Sequence, residues 1–229
     1  MKQTVRLSAA ERRRDIVEAV RDVFADKGFD GTTTRELARA AGVSEALLYR
    51  YFPSKESLYA AMLEACAKGP TFVEYKRILA LDASSSTLVI MVHFVISGYV
   101  QGRGGDAHRA AFHALLVRSL LDDGEFVRLA YRQYASAWLQ KFQSCLNAAV
   151  RAGEIKFAPL RAHLCVWFVQ HVAFSLMLYL RPKVPPINYK VSKEELVEQA
   201  TWFALRGLGL KERAIQRHYN AKVLSLLAN

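Results

Sequence analysis

Cysteine is scarce in this chain. The three present, Cys66, Cys145 and Cys165, are widely spaced, odd in number and in no CxxC pair. That excludes a disulfide framework and a CxxC redox or zinc site, and fits reduced, buried thiols. The histidines lack ligand spacing too: His108 and His113 lie five apart, His163 and His171 eight apart, so no metal is expected. No segment alternates apolar and polar residues between hairpin turns, which argues against a β fold. Neither a Gly-rich phosphate loop nor a GxSxG nucleophile motif occurs, so neither an enzyme nor a cofactor is expected. No apolar run convincingly spans a bilayer. Residues 88–100 are too short, and residues 164–180 approach the ~20 needed but carry Gln170 and His171 in the middle. A buried helix at a bundle or subunit interface is the better reading of that run. The start, MKQTVRLSAAERRR, lacks the apolar core of a signal peptide, so a cytoplasmic protein without a membrane partner is expected.

The 229 residues are 52% hydrophobic, enough for a full core, and carry a formal net charge of +11. A basic balance favours an anionic partner, nucleic acid first. Residues 1–55 hold eleven Lys/Arg against eight Asp/Glu, a net of +3, which leaves +8 for the rest. Most of the excess therefore lies outside the N-terminal segment, partly in Arg206, Lys211, Arg213, Arg217 and Lys222.

Helical punctuation runs along the chain. Ser8 with Glu11 and Thr33 with Glu36 read as capping boxes. Ile16, Val17, Val20 and Phe24 form the apolar stripe of a first helix ending near Gly28. A short second helix with Leu37, Ala38 and Ala41 inward stops at Gly42, and Ser44 caps a third that runs to about Phe52. Pro53 cannot continue it, and Ser54 caps a fourth. Longer helices are predicted at 71–80, 86–101, 107–121, 124–152, 159–180 and 192–209. The last nineteen residues, from Lys211, read as a basic amphipathic extension, either packed on the body or frayed.

The tight Ala-Gly-Val turn between two short helices is a helix-turn-helix signal. At about 100° per residue, Leu48 and Phe52 of the third helix face inward. Ala46 and Arg50 then point away, with Leu47 and Tyr49 on the flanks. Small Ala46 permits close approach to a duplex, Arg50 reaches guanine or phosphate, and Tyr49 offers a hydroxyl to phosphate. Thr34, Arg35, Ser54 and Lys55 gather at helix N-termini, whose free N–H groups seat phosphate.

Residues 12–63, above all GFDGTTTRELARAAGVSEALLYRYFPSKESLYAAML, closely resemble the DNA-binding domain of the tetracycline-repressor (TetR) family. The resemblance covers about a quarter of the chain. It implies an all-α fold, with an N-terminal three-helix helix-turn-helix domain and a C-terminal antiparallel helical domain for ligand binding and dimerisation. The boundaries expected are 8–69, 70–210 and, for the basic extension, 211–229. By position, Thr34 and Arg35 meet phosphate, the arginine sometimes a base. Ser44, Glu45, Ala46, Leu47 and Arg50 form the recognition face. Tyr49 and Tyr51 face phosphate, and Lys55 holds the DNA backbone. Glu45 and Leu47 depart from the residues common at their positions. The glutamate accepts from cytosine N4 but repels phosphate, and the leucine offers apolar contact to a thymine methyl.

The resemblance further implies a repressor released from a pseudo-palindromic DNA operator by a small-molecule effector. It also implies a homodimer formed through the last two long helices. The stripe Leu196, Ala200, Phe203, Ala204 and Gly207 suits close helix packing in such a dimer. An effector pocket among the middle helices would draw on His93, Phe94, Tyr99, His113, Tyr134, Trp138, Trp167, His171 and Phe174. Aromatic walls with a few polar tips suit an aromatic or apolar ligand. The alternative is an effector-independent architectural or adaptor DNA-binding protein that kept the helix-turn-helix fold.

Overall fold

The computed structural model describes residues 8–66, 70–101, 107–122, 124–155, 161–220 and 224. Among them the chain is all-helical, with α1 (Ala9–Lys27), α2 (Thr34–Ala40), α3 (Glu45–Tyr51), α4 (Lys55–Cys66), α5 (Pro70–Ala80) and α6 (Ser85–Val100). α7 (Ala107–Leu121), α8 (Glu125–Arg151), α9 (Ala162–Leu180), α10 (Lys193–Gly207) and α11 (Glu212–His218) follow. The helix ends fall where the capping chemistry places them. Ser8 Oγ accepts from the Glu11 N–H at 3.2 Å while Glu11 Oε2 accepts from the Ser8 N–H at 2.8 Å, the reciprocal box that opens α1. The helix closes at Gly28, whose φ of 74° is the left-handed conformation glycine adopts freely.

The chain divides into two compact units, residues 1–72 with 107–133, and residues 73–106 with 134–229. A cut near residue 70 therefore differs from the structure in one respect. α7 and the first turns of α8 join α1–α4, because aromatic side chains from distant parts of the sequence share one core. Tyr59 of α4 lies 4.9 Å from Phe24, 5.1 Å from Phe29 and 5.9 Å from Phe126, centroid to centroid, and Phe112 lies 5.5 Å from Phe126. Around them Ile16, Val20, Leu37, Leu48, Phe52, Leu58 and Met62 are buried. The predicted inward stripe of α1 and the inward pair on α3 are among them.

In the second unit α6 is the central rod. Leu88, Val89, Met91, Val92, Ile96 and Val100 are all buried, as befits a helix apolar on every side. α9, α10 and α11 pack against it. The stretch His163–Leu180 is long and apolar enough to cross a bilayer, yet Cys165, Val166, Val169, Ala173 and Met177 are buried within this unit. The α10 stripe divides. Ala200 and Ala204 enter the core, whereas Phe203 and Gly207 stay outside, Phe203 at 67% exposed. Residues four apart share a face, but residues one and three apart from them straddle its edge.

The segment after residue 210 is part of the second unit. α11 is tied to the turn after α8 by the Lys211 N–H on Glu154 O at 2.8 Å and by Lys211 Nζ on Gly153 O at 2.6 Å. The Glu154 carboxylate meets Arg217 and His218, each at 3.1 Å. Beneath them Ala214 and Ile215 are buried. Residues 221–223 and 225–229 lie outside the described residues. If α11 is a core element, Ile215→Ala removes buried volume and costs about 2–5 kcal/mol. Urea unfolding followed by circular dichroism is expected to show the lower midpoint.

Candidate nucleic-acid interface

Three short elements build the surface. Thr33 opens α2 through a capping box with Glu36, whose carboxylate also pairs with Lys27 at the end of α1. α2 ends in the turn Ala41-Gly42-Val43, where Gly42 has φ 63° with no atom near a would-be Cβ. Conformation, not space, demands glycine there. Ser44 Oγ then accepts from the Leu47 N–H at 3.1 Å and opens α3. α3 is only seven residues long and is held by Leu48 and Phe52, which are 1% and 2% exposed.

With those two inward, the opposite face is open. Ser44, Glu45, Ala46, Tyr49 and Arg50 are exposed, as is Arg35 on α2, while Thr34, Leu47 and Tyr51 are half-buried. The Thr34 and Tyr49 hydroxyls lie 3.2 Å apart, joining the start of α2 to the middle of α3. Two hydroxyls at that spacing can donate to the same phosphate.

Lys55 has a task that the sequence did not reveal. Its Nζ donates to Phe29 O at 2.7 Å and to Thr32 O at 3.0 Å, and sits 4.2 Å from the Phe29 ring centroid. It clamps the loop before α2 onto the start of α4, leaving one N–H for another acceptor. Ser54 is also occupied, since its Oγ accepts from the Ser57 N–H at 3.2 Å and caps α4.

The nine residues expected to line an effector pocket do not form one lining. Phe94 and Trp138 meet at 5.6 Å, joined by Tyr75, which stacks on Trp138 at 5.4 Å and was not anticipated. Tyr99 meets Phe174 at 6.0 Å and accepts from Gln170 Nε2 at 2.7 Å. Trp167 packs against the same core. His93 contacts Tyr219 instead, at 5.8 Å, and burial lowers its pKa to about 4, so it is neutral at physiological pH. His171 is exposed on α9, and His113 belongs to the first unit. The side chains of Tyr134 and His108 lie outside what the structure describes. Among the described residues no group of three His, Cys, Asp or Glu is placed to hold a metal.

Glu36 gives this surface a pH dependence. The Lys27 ammonium, then the Thr33 N–H and hydroxyl, lower its pKa from 4.5 to about 2. A carboxylate held low stabilises the fold above its ordinary pKa and loses that contribution as pH falls through the lowered value. The wild-type melting temperature is expected to fall more steeply between pH 4.5 and pH 2 than that of Glu36→Gln, as read by thermal denaturation.

Residues 16–62 match the profile of bacterial regulatory proteins of the tetR family. The nucleoid occlusion factor SlmA of Haemophilus ducreyi is 29% identical over 111 residues, 48% of this chain and 54% of that protein. The transcriptional regulator RutR of Escherichia coli K12 is 43% identical over 56 residues, 24% of this chain and 26% of RutR. The chain thus matches about half the length of the first relative and about a quarter of the second. Solved structures extend the likeness in fold. AibR in complex with isovaleryl coenzyme A and operator DNA covers 88% of this chain and 100% of its own, at TM-score 0.63 and 16% identity. FadR from Bacillus subtilis in complex with stearoyl-CoA covers 85% of this chain and 98% of its own, at TM-score 0.59 and 18% identity. Residues 16–62 thus carry a helix-turn-helix segment that matches the tetR family of bacterial regulatory proteins, and the rest of the described chain is all-helical.

Proposed function

We propose that this protein is a cytoplasmic, sequence-specific DNA-binding transcriptional repressor, released from its operator by a small aromatic or apolar effector. The observation that carries the reading is the exposed face of α3, which presents Ser44, Glu45, Ala46, Tyr49 and Arg50 above the buried Leu48 and Phe52. α3 enters the major groove. Ala46 allows close approach, Arg50 and Glu45 reach base edges, and Leu47 contacts a thymine methyl. Thr34, Arg35, Tyr49 and Tyr51 hold the phosphates, joined by the remaining N–H of Lys55.

The repressor works as a homodimer on a pseudo-palindromic site, its two α3 helices about 34 Å apart to reach successive major grooves. The outward faces of α9 and α10 support this. Leu164, Phe168, Leu178, Tyr179 and Phe203 are exposed there, an apolar surface of the kind subunits cover. The effector occupies the second unit, near the ring groups of Phe94, Trp138 and Tyr75 and of Tyr99 and Phe174. The CoA thioesters bound by AibR and FadR support a ligand of acyl character. Effector and operator must favour different states of the dimer, with a coupling of about 1–3 kcal/mol.

The match to SlmA favours a second reading, an effector-independent architectural or adaptor DNA-binding protein. Fluorescence anisotropy on the DNA upstream of the neighbouring gene, with and without acyl-CoA, separates the two. Specific binding released by the ligand supports the repressor; specific binding that no ligand changes supports the adaptor. Binding to any duplex alike supports the architectural protein, and no binding to duplex DNA sinks both.

Within that assay, Tyr49→Phe is expected to weaken binding to all duplexes alike. Arg50→Ala should cost about 1–3 kcal/mol at the base it reads and relax the preference there. Phe203→Glu, on the proposed subunit face, should shift the dimer towards monomer in analytical ultracentrifugation.

A further inference from the structure

We infer that Arg13 of α1 is a DNA-backbone contact, which extends the binding surface beyond α2, α3 and the start of α4. The inference rests on the DNA-binding reading above. The guanidinium carbon of Arg13 lies 4.7 Å from the centroid of the Phe52 ring, with Arg13 exposed and Phe52 buried. A contact of the guanidinium carbon over a ring uses none of its hydrogen-bond donors. Its five N–H donors lie in the plane and point sideways. Among the described residues no hydrogen bond or ion pair takes them, whereas four other cations of this unit are paired with carboxylates. Arg21 is paired with Glu18 at 2.8 Å, Arg118 with Asp122 at 2.9 Å and Arg128 with Glu125 at 2.7 Å. Lys27 is paired with Glu36. Arg35 and Arg50, on the reading surface, share the unpaired state of Arg13.

The location matters as much as the free donors. Phe52 ends α3, its N–H donating to Leu48 O at 2.9 Å, and it stands between Tyr51 and the Ser54-Lys55 start of α4. Arg13 is thus anchored at the junction where the recognition helix gives way to α4. An aromatic plate beneath a guanidinium restricts its motion, so less order is lost when it meets an anion. The anion of matching chemistry is a backbone phosphate, which takes an arginine fork and carries no sequence information.

The test measures dissociation constants by fluorescence anisotropy from 50 to 200 mM KCl. It uses the duplex preferred by the wild type and a scrambled duplex, with melting temperatures alongside. Arg13→Gln is expected to weaken both duplexes by the same factor. The slope of log affinity on log salt should become shallower by about 0.9 per subunit, or about 1.8 per dimer. Between the two salt concentrations the variant then loses about tenfold less affinity than the wild type. Arg13→Lys should keep the wild-type slope with weaker binding, because an ammonium does not stack flat on the ring. An Arg13→Gln slope equal to that of the wild type overturns the inference, whatever the melting temperature does. So does an Arg13→Lys slope as shallow as that of Arg13→Gln. A wild type that binds while the variant slope is unchanged removes Arg13 alone; a wild type that binds neither duplex removes the DNA-binding reading itself.

Discussion

The seating of α3 through Leu48 and Phe52 is the constraint on which the N-terminal surface depends. A seven-residue helix does not persist alone in water, since nucleation outweighs so few propagating bonds. Burying a leucine and a phenylalanine contributes roughly 1.5–3 kcal/mol each, enough to hold so short an element. Once both are inward, the backbone leaves Ala46 and Arg50 no direction but outward. The rest of the first unit serves that placement. Gly42 makes the turn, Lys55 ties down the loop ahead of α2, and the ring cluster around Tyr59 supports α4 beneath.

The second unit solves a different problem, which is to bury a helix apolar all round. α6 needs neighbours on every side, and α9, α10 and α11 supply them from far along the chain. This accounts for the fate of the C-terminal charge. Arg206 pairs with Glu212 at 2.8 Å, Arg217 with Glu154, and Lys211 donates to a backbone carbonyl. Three of the five basic residues named near the end, Arg206, Lys211 and Arg217, are thus engaged in fastening α11.

Much of the fold was legible because helix signals are local. The boundary predicted at 107–121 matches α7, and the other long helices begin and end within a few residues of their predicted places. The outward direction of Ala46 and Arg50 was legible for the same reason, as it follows from helical periodicity and one buried pair. The surroundings of the aromatic and histidine candidates were not legible. Residue type alone does not separate His93, which faces Tyr219, from His171, which is exposed, or from His113, which belongs to the other unit. Nor does it reveal that Tyr75 stacks on Trp138. Residue type records what a side chain can do, and its neighbours come from helices scores of residues away.

By itself, then, the amino-acid order determined, to within a few residues, where the helices up to α10 start and stop, the turn that joins α2 to α3, and the two residues that pin α3 in place. Each of these depends on contacts within a turn or two of chain, which capping, glycine conformation and periodicity govern. Tertiary structure alone decided that α7 belongs with the first unit, that α11 is core, and that Ala200 is buried while Phe203 is not. It also decided that Lys55 clamps a loop and that Arg13 lies on Phe52. Those outcomes rest on which apolar faces meet across long stretches of chain, and burial is won by the packing of the whole unit, not by any local pattern.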